Sequence, residues 1–225
     1  MTPIRIVARG LSDTLESLLP YTLASLLWWP CLLSIIAAPG ATLALFRFTD
    51  PRSIAASYER PGLRDSITYG VRGLGRAWKL TLLIGVVGGV LVYNLRFYGS
   101  HGGRLAVLGP LWLVLLGIWA LIGLSAWACA ALFELPALPA IRQAAMATLA
   151  FLPRGAVVGF LLLILLAVSG LLVVPLVMFM PATVAAISNR LLLANLQIPI
   201  PDSLAPTEER RVEEAQRRAA RRFGP

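Results

Sequence analysis

Long apolar runs alternate with short polar segments along this chain. Residues 105–133 and 155–188 contain no charged side chain. About 20 apolar residues in a helix span the roughly 30 Å hydrocarbon core of a bilayer, so each run is long enough to cross a membrane. A soluble core rarely needs helices this long that are apolar on every side. The pattern therefore predicts an all-α, polytopic transmembrane helical bundle.

Proline residues interrupt the first and the last apolar regions. Proline lacks a backbone donor and clashes with the preceding helical turn, so it tends to break a helix. We take Pro30 and Pro39 as helix-break candidates in the first region, and Pro175 and Pro181 in the last. Breaks at Pro30 and Pro175 predict six crossings, at residues 11–29, 31–48, 79–95, 105–133, 155–174 and 175–197.

The basic residues favour this arrangement. Loops that carry Lys and Arg stay on the cytoplasmic side. With six crossings and an internal N-terminus, 18 of the 20 basic residues lie inside, and only Arg96 and Arg104 lie outside. The pattern predicts a protein of the bacterial cytoplasmic (inner) membrane with both termini in the cytoplasm. The alternative has five crossings, with residues 22–46 as one kinked helix and the N-terminus outside.

Two polar segments between the crossings read as amphipathic surface helices. In residues 49–78, apolar positions recur at helical spacing beside a row of basic side chains. We expect Arg64, Arg72 and Arg76 to reach anionic lipid headgroups. Residues 141–152 predict a second helix of this kind. A charged cytoplasmic tail, 198–225, follows the single transmembrane domain of residues 1–197, and we expect this tail to form a charged helix.

A weak repeat links the two surface helices at an offset of 78 residues. Leu63-Arg64 corresponds to Ile141-Arg142, and in both places a crossing follows the amphipathic segment. An internal duplication and a shared requirement of surface helices both account for it.

A group of small residues lies in the crossing at 79–95. Gly85, Gly88 and Gly89 allow close approach of another helix backbone. These helix-packing candidates serve either the fold itself or an interface between subunits. We therefore expect another membrane protein or a second copy of this chain as a partner.

Chemistry beyond packing has few candidates. Asn94, Glu134, Asn189 and Arg190 are the residues that would line a polar cavity, although helix-to-helix hydrogen bonds are the favoured explanation of the asparagines. Glu134 is either a coupling carboxylate or an interface carboxylate paired with an arginine. One histidine and no catalytic cluster predict no enzyme, no cofactor and no metal site. The distribution of arginines does not suggest nucleic-acid binding.

Three short motifs resemble the YesL-like family of small bacterial membrane proteins. They are residues 25–44, with the run Leu-Leu-Trp-Trp-Pro and the turn Pro-Gly-Ala-Thr, residues 93–98, and residues 132–136. The likeness covers about residues 20–196 and supplies no catalytic residues. The resemblance implies a family without an established activity, often associated with carbohydrate uptake systems.

Three functions follow as hypotheses. The first is a non-enzymatic accessory or scaffold component of a membrane transport system. The second is a small transporter or channel in its own right, built around the proline-broken helices. The third is a structural subunit of a larger membrane complex.

Overall fold

The computed structural model describes residues 2–52, 62–100 and 108–199, and the regular structure in these residues is helical. The predicted all-α class is confirmed for this part of the chain. The predicted helix in the charged tail lies outside the described residues. The helices are α1 Pro3–Glu16, α2 Leu18–Leu33, α3 Ala38–Phe48, α4 Leu63–Arg72, α5 Leu74–Ser100, α6 Gly109–Leu132, α7 Ala137–Ala150, α8 Leu152–Leu172, α9 Val174–Met178 and α10 Met180–Asn195.

Three of these helices are long and apolar enough to cross a membrane. They are α5, α6 and α8, with 27, 24 and 21 residues. At about 1.5 Å per residue, even α8 is about 31 Å long, which matches the hydrocarbon core. They correspond to the predicted crossings at 79–95, 105–133 and 155–174, and their composition is that of a membrane protein.

The other three predicted crossings, and with them the count of six, are not supported. The segment 11–29 is divided between α1 and α2, and 175–197 is divided between α9 and α10. The segment 31–48 contains the turn between α2 and α3, which also interrupts the single crossing of the five-crossing alternative. The longest helices here, α2 and α10, have 16 residues, about 24 Å. They are too short to cross alone.

The proline residues mark helix starts rather than helix ends. Pro39, Pro175 and Pro181 occupy the first turns of α3, α9 and α10. The missing N–H has no partner to lose there, and the fixed φ suits the helix. Pro30 lies inside α2. The prediction that the chain turns at Pro30 is therefore wrong.

The turn after α2 is formed instead by a polar side chain and by a residue with a positive φ angle. The Ala37 N–H donates to the Ser34 hydroxyl at 3.2 Å, and Ile35 has φ 52°. Val173, between α8 and α9, has the same φ. A β-branched residue in this region carries strain, so surrounding contacts fix both turns more than local preference does.

The core lies around the second half of α6. Alanine residues make α7 narrow on one side, where Ala140 and Ala144 are fully buried against the bundle. The predicted second surface helix is therefore only partly superficial, because its alanine face packs on α6. Its other side exposes Leu138, Met146 and Leu149.

A second cluster joins α1, α8 and α10 through Ile6, Val7, Val158, Leu162, Ile187 and Leu191.

The weak repeat coincides with helix boundaries. The break between α4 and α5 falls at Gly73, and the break between α7 and α8 falls at Phe151, 78 residues later. In both places a short helix runs into a long apolar one.

Candidate functional site

A buried ion pair joins the first and last long segments of the chain. Arg190 of α10 donates from Nη2 to Asp13 Oδ1 at 2.7 Å, and its Nε–H donates to Asp13 Oδ2. The two side chains are only 1% and 4% exposed. Parallel hydrogen bonds between a guanidinium and a carboxylate are among the strongest and most directional in proteins. Asp13 and Arg190 therefore form a closed clamp between α1 and α10.

Small and hydroxyl residues let the two helices approach. The Thr14 and Thr183 hydroxyl oxygens lie 3.1 Å apart. Gly10 faces Ile187 so closely that a Cβ at this position would collide with it. Because Gly10 meets residue 187 and Thr14 meets residue 183, α1 and α10 run antiparallel.

Asn189, beside the ion pair, ties α10 to the end of α3. Its side-chain amide donates to the Phe46 carbonyl at 2.9 Å and to the Thr49 hydroxyl at 3.0 Å. Asn189 is fully buried, and its Oδ1 has no hydrogen-bond partner among the described residues. Asn189 and Arg190 thus bind protein on both sides of α10 instead of lining an open cavity.

A second polar cluster caps the C-terminal end of α6. Arg76 donates from Nη1 to the Glu134 carbonyl at 2.7 Å and from Nη2 to the Tyr69 hydroxyl at 2.8 Å. The Tyr69 hydroxyl lies 3.3 Å from the carbonyls of Ala130 and Ala131. The last carbonyls of a helix lack partners within the helix and carry partial negative charge, so these donors stabilise the end of α6.

Two further arginines complete this arginine cap. Arg52 donates to the Leu132 carbonyl at 3.0 Å and pairs with Asp50 at 3.1 Å. The Arg47 guanidinium lies 5.4 Å from the centre of the Tyr69 ring, within range of a cation–π contact.

Burial raises the pKa of Tyr69, and Arg76 opposes the increase only in part. The hydroxyl therefore remains a neutral donor at physiological pH.

The three predicted headgroup arginines are not equivalent. Arg64 and Arg72 are exposed on α4, whereas Arg76 is half-buried and held by Tyr69 and Glu134. Arg76 is therefore part of the arginine cap. Its neighbours on α4 have the exposure that contact with headgroups requires.

The remaining cavity candidates lie apart from the ion pair. Glu134 follows α6 with φ 55°, and its side chain is exposed while its carbonyl accepts from Arg76. Asn94 is half-buried on α5, about 27 Å along the helix from Arg76. The structure therefore does not bring Asn94, Glu134 and Arg190 into one cavity.

The glycine group of α5 has two sides. A Cβ at Gly88 would lie 3.6 Å from Trp119 of α6, so Gly88 faces the fold. A Cβ at Gly85 or Gly89 would meet nothing within 4 Å. These two glycines face outward.

Sequence patterns did not reveal the roles of Asp13, Tyr69 and Arg52. Asp13 lies 177 positions from its partner, and no periodicity relates them. One signal was present: an aspartate and an arginine in segments expected to lie within a membrane each need a partner of opposite charge.

In the described residues, no group of three or more histidine, cysteine, aspartate or glutamate side chains could hold a metal ion. Comparisons with protein-family models, curated proteins and solved structures find no match.

Proposed function

We propose that this protein is a non-enzymatic, multi-pass accessory or scaffold subunit of a membrane transport system. The observation that carries the proposal is the closed pair between Asp13 and Arg190. A bidentate, fully buried pair fixes one arrangement of helices, as a scaffold requires. A carrier coupled to ions needs an ionisable group that changes partner or reaches water during its cycle.

The positions of the first and last described helices support the proposed orientation. Antiparallel α1 and α10 place the start of α1 and the end of α10 on the same side. Arg154, in the first turn of α8, donates to the Ala194 carbonyl at 3.3 Å, so α10 ends where α8 begins. Arg5 and Arg154 lie near these helix ends, which supports the cytoplasm as their common side.

The association with transport, and with carbohydrate uptake in particular, rests on the resemblance of residues 25–44 to the YesL-like family. The exposed apolar surface of α5 offers room for a protein partner. Only Ala77 and Leu80 of this helix are buried.

The experiment combines purification with an uptake assay. The tagged protein is extracted from its native membrane in mild detergent, and its partners are identified and quantified by mass spectrometry. We expect a transport permease in fixed stoichiometry, and slower solute uptake by cells that lack the protein. A monodisperse protein without a partner, which alone moves a solute into liposomes, would contradict the proposal and favour a transporter.

A charge exchange separates the structural from the transporting role of the ion pair. Asp13→Arg combined with Arg190→Asp restores opposite charges at the same two positions. If the pair is a clamp, the double variant recovers much of the stability and the partner binding that each single variant loses. Recovered folding with lost solute movement would indicate a transport role.

A further inference from the structure

An apolar groove lies between α2, α3 and α4. Its cavity has a volume of about 210 Å³. Cavities of about 150 Å³ lined by apolar side chains accommodate a benzene molecule, so the space exceeds a packing defect. The lining extends from Ala37, just before α3, to Phe48 at its end, which corresponds to about 16 Å of helix. The groove is therefore long and narrow.

Small residues create this space. Gly40, Ala41 and Ala44 form the wall on α3, between Trp28 and Cys31 of α2 and Val71 of α4. The crossing of α3 and α4 fixes its width, because a Cβ at Gly70 would collide with the Gly40 carbonyl. The chain thus brings two helices into backbone contact and leaves the adjoining space unfilled.

Ser66 is the one residue with a hydroxyl group among those that line this apolar groove. Ser66 lines the cavity and is 2% exposed, and its hydroxyl oxygen has no hydrogen-bond partner among the described residues. A buried hydroxyl without a partner is unfavourable, so a partner supplied by a ligand stabilises it. The ligand that suits the groove has a long apolar body and a single acceptor.

We propose that the groove binds one acyl chain of a membrane phospholipid, with the Ser66 hydroxyl donating to the ester carbonyl. α4 also carries Tyr69 of the arginine cap, so this wall of the groove belongs to the end of the molecule rich in arginine. Positive charge there favours an anionic headgroup. The site is independent of any partner in the proposed transport complex.

Native mass spectrometry tests retention of the lipid. The full chain, stripped of lipid in detergent, is mixed with phosphatidylglycerol, with phosphatidylcholine of the same chains, or with the free fatty acid. We expect one bound phosphatidylglycerol per chain. Ser66→Ala should weaken binding about 3- to 10-fold, because one hydrogen bond is lost while the groove remains open.

A second variant fills the groove. Ala41→Leu places a larger side chain in the space of the acyl chain and should weaken binding at least about tenfold. Ala120→Leu, on an exposed position of α6 outside the groove, is the matched control and should bind like the wild type. Thermal unfolding without lipid verifies that each variant is folded.

Chemical labelling of Cys31 measures occupancy of the groove in the protein without the Ala41→Leu substitution. It lines the groove and is partly exposed, whereas Cys129 is buried. Phosphatidylglycerol should slow maleimide labelling of Cys31 about fivefold or more, and Cys31→Ser should abolish the signal. Three results would each overturn the proposal. They are binding of the free fatty acid but of no phospholipid, binding of phosphatidylglycerol by Ser66→Ala as tightly as by the wild type, and labelling of Cys31 that phospholipid does not slow.

Discussion

The helices α10 and α5 distribute polar and apolar residues in opposite ways, and neither follows the rule for water-soluble proteins. α10 buries Thr183, Ser188, Asn189 and Arg190, and each of them is exposed by 2% or less. α5 exposes apolar side chains along most of its length, and only 6% of its most apolar segment is buried. Lipid covers an apolar helix without cost but cannot bind polar groups, so the polar groups must pair inside the protein. The two helices therefore face different surroundings.

The largest expected effect concerns the ion pair. Arg190→Ala leaves the Asp13 carboxylate buried without its partner and should lower the free energy of unfolding by about 3–5 kcal/mol. Glu16→Gln, on the exposed side of the same α1 helix, is the control and should change it by less than about 0.5 kcal/mol. Thermal unfolding in detergent measures both. Equal stability of the two variants would show that the clamp does not hold the fold.

Charge placed on α5 tests whether lipid covers this helix. Val86 is 65% exposed near the middle of α5, so Val86→Arg should cost about 2.5–3.5 kcal/mol in membrane insertion. Val71→Arg is the matched control, because Val71 is 68% exposed but lies on the short α4. An insertion assay that quantifies the integrated fraction compares the two. A similar, small effect at both positions would place α5 in water.

Two glycine substitutions should act in opposite directions. Gly70→Ala drives a Cβ against the Gly40 carbonyl and should destabilise the protein by about 1–3 kcal/mol. Gly85→Ala meets no atom within 4 Å and should stabilise α5 by about 0.5–1 kcal/mol, because alanine loses less backbone entropy. Denaturation in detergent measures both. If Gly85→Ala instead separates an oligomer during size-exclusion chromatography, this side of α5 contacts protein.

The smallest expected loss of stability is at the arginine cap, where Tyr69→Phe removes one hydroxyl at a half-buried site. We expect a loss of about 0.5–1.5 kcal/mol at neutral pH. The raised pKa gives the effect a pH dependence. Above pH 10 the unfolded chain loses the Tyr69 proton before the folded protein does, so the stability of the wild type falls as the pH rises further. Tyr69→Phe should lack that part of the decline in denaturation measured from pH 9 to 11.

Much of the fold followed from apolarity and length. Residues 79–95, 105–133 and 155–174 could be recognised as parts of long membrane-capable helices, because long apolar runs with almost no charge have few other stable environments. The division of residues 11–48 could not be recognised, since the turn at Ser34–Ala37 contains Ile35 in a conformation that its own preferences disfavour. Pro39, Pro175 and Pro181 correctly indicated where one helix gives way to the next. The break predicted at Pro30 was wrong, because Pro30 lies inside α2.

The sequence by itself determined where apolar helices form, because local composition sets the cost of leaving them in water. It also singled out Arg190 and Asn189 as candidates for a polar cavity. Only the tertiary structure decided that they pair inside the protein instead, Arg190 with Asp13 and Asn189 with the end of α3. Likewise, only the approach of α3 to α4 formed the groove that contains Ser66. Such pairings join residues distant along the chain, and they depend on how helices pack rather than on any periodic pattern.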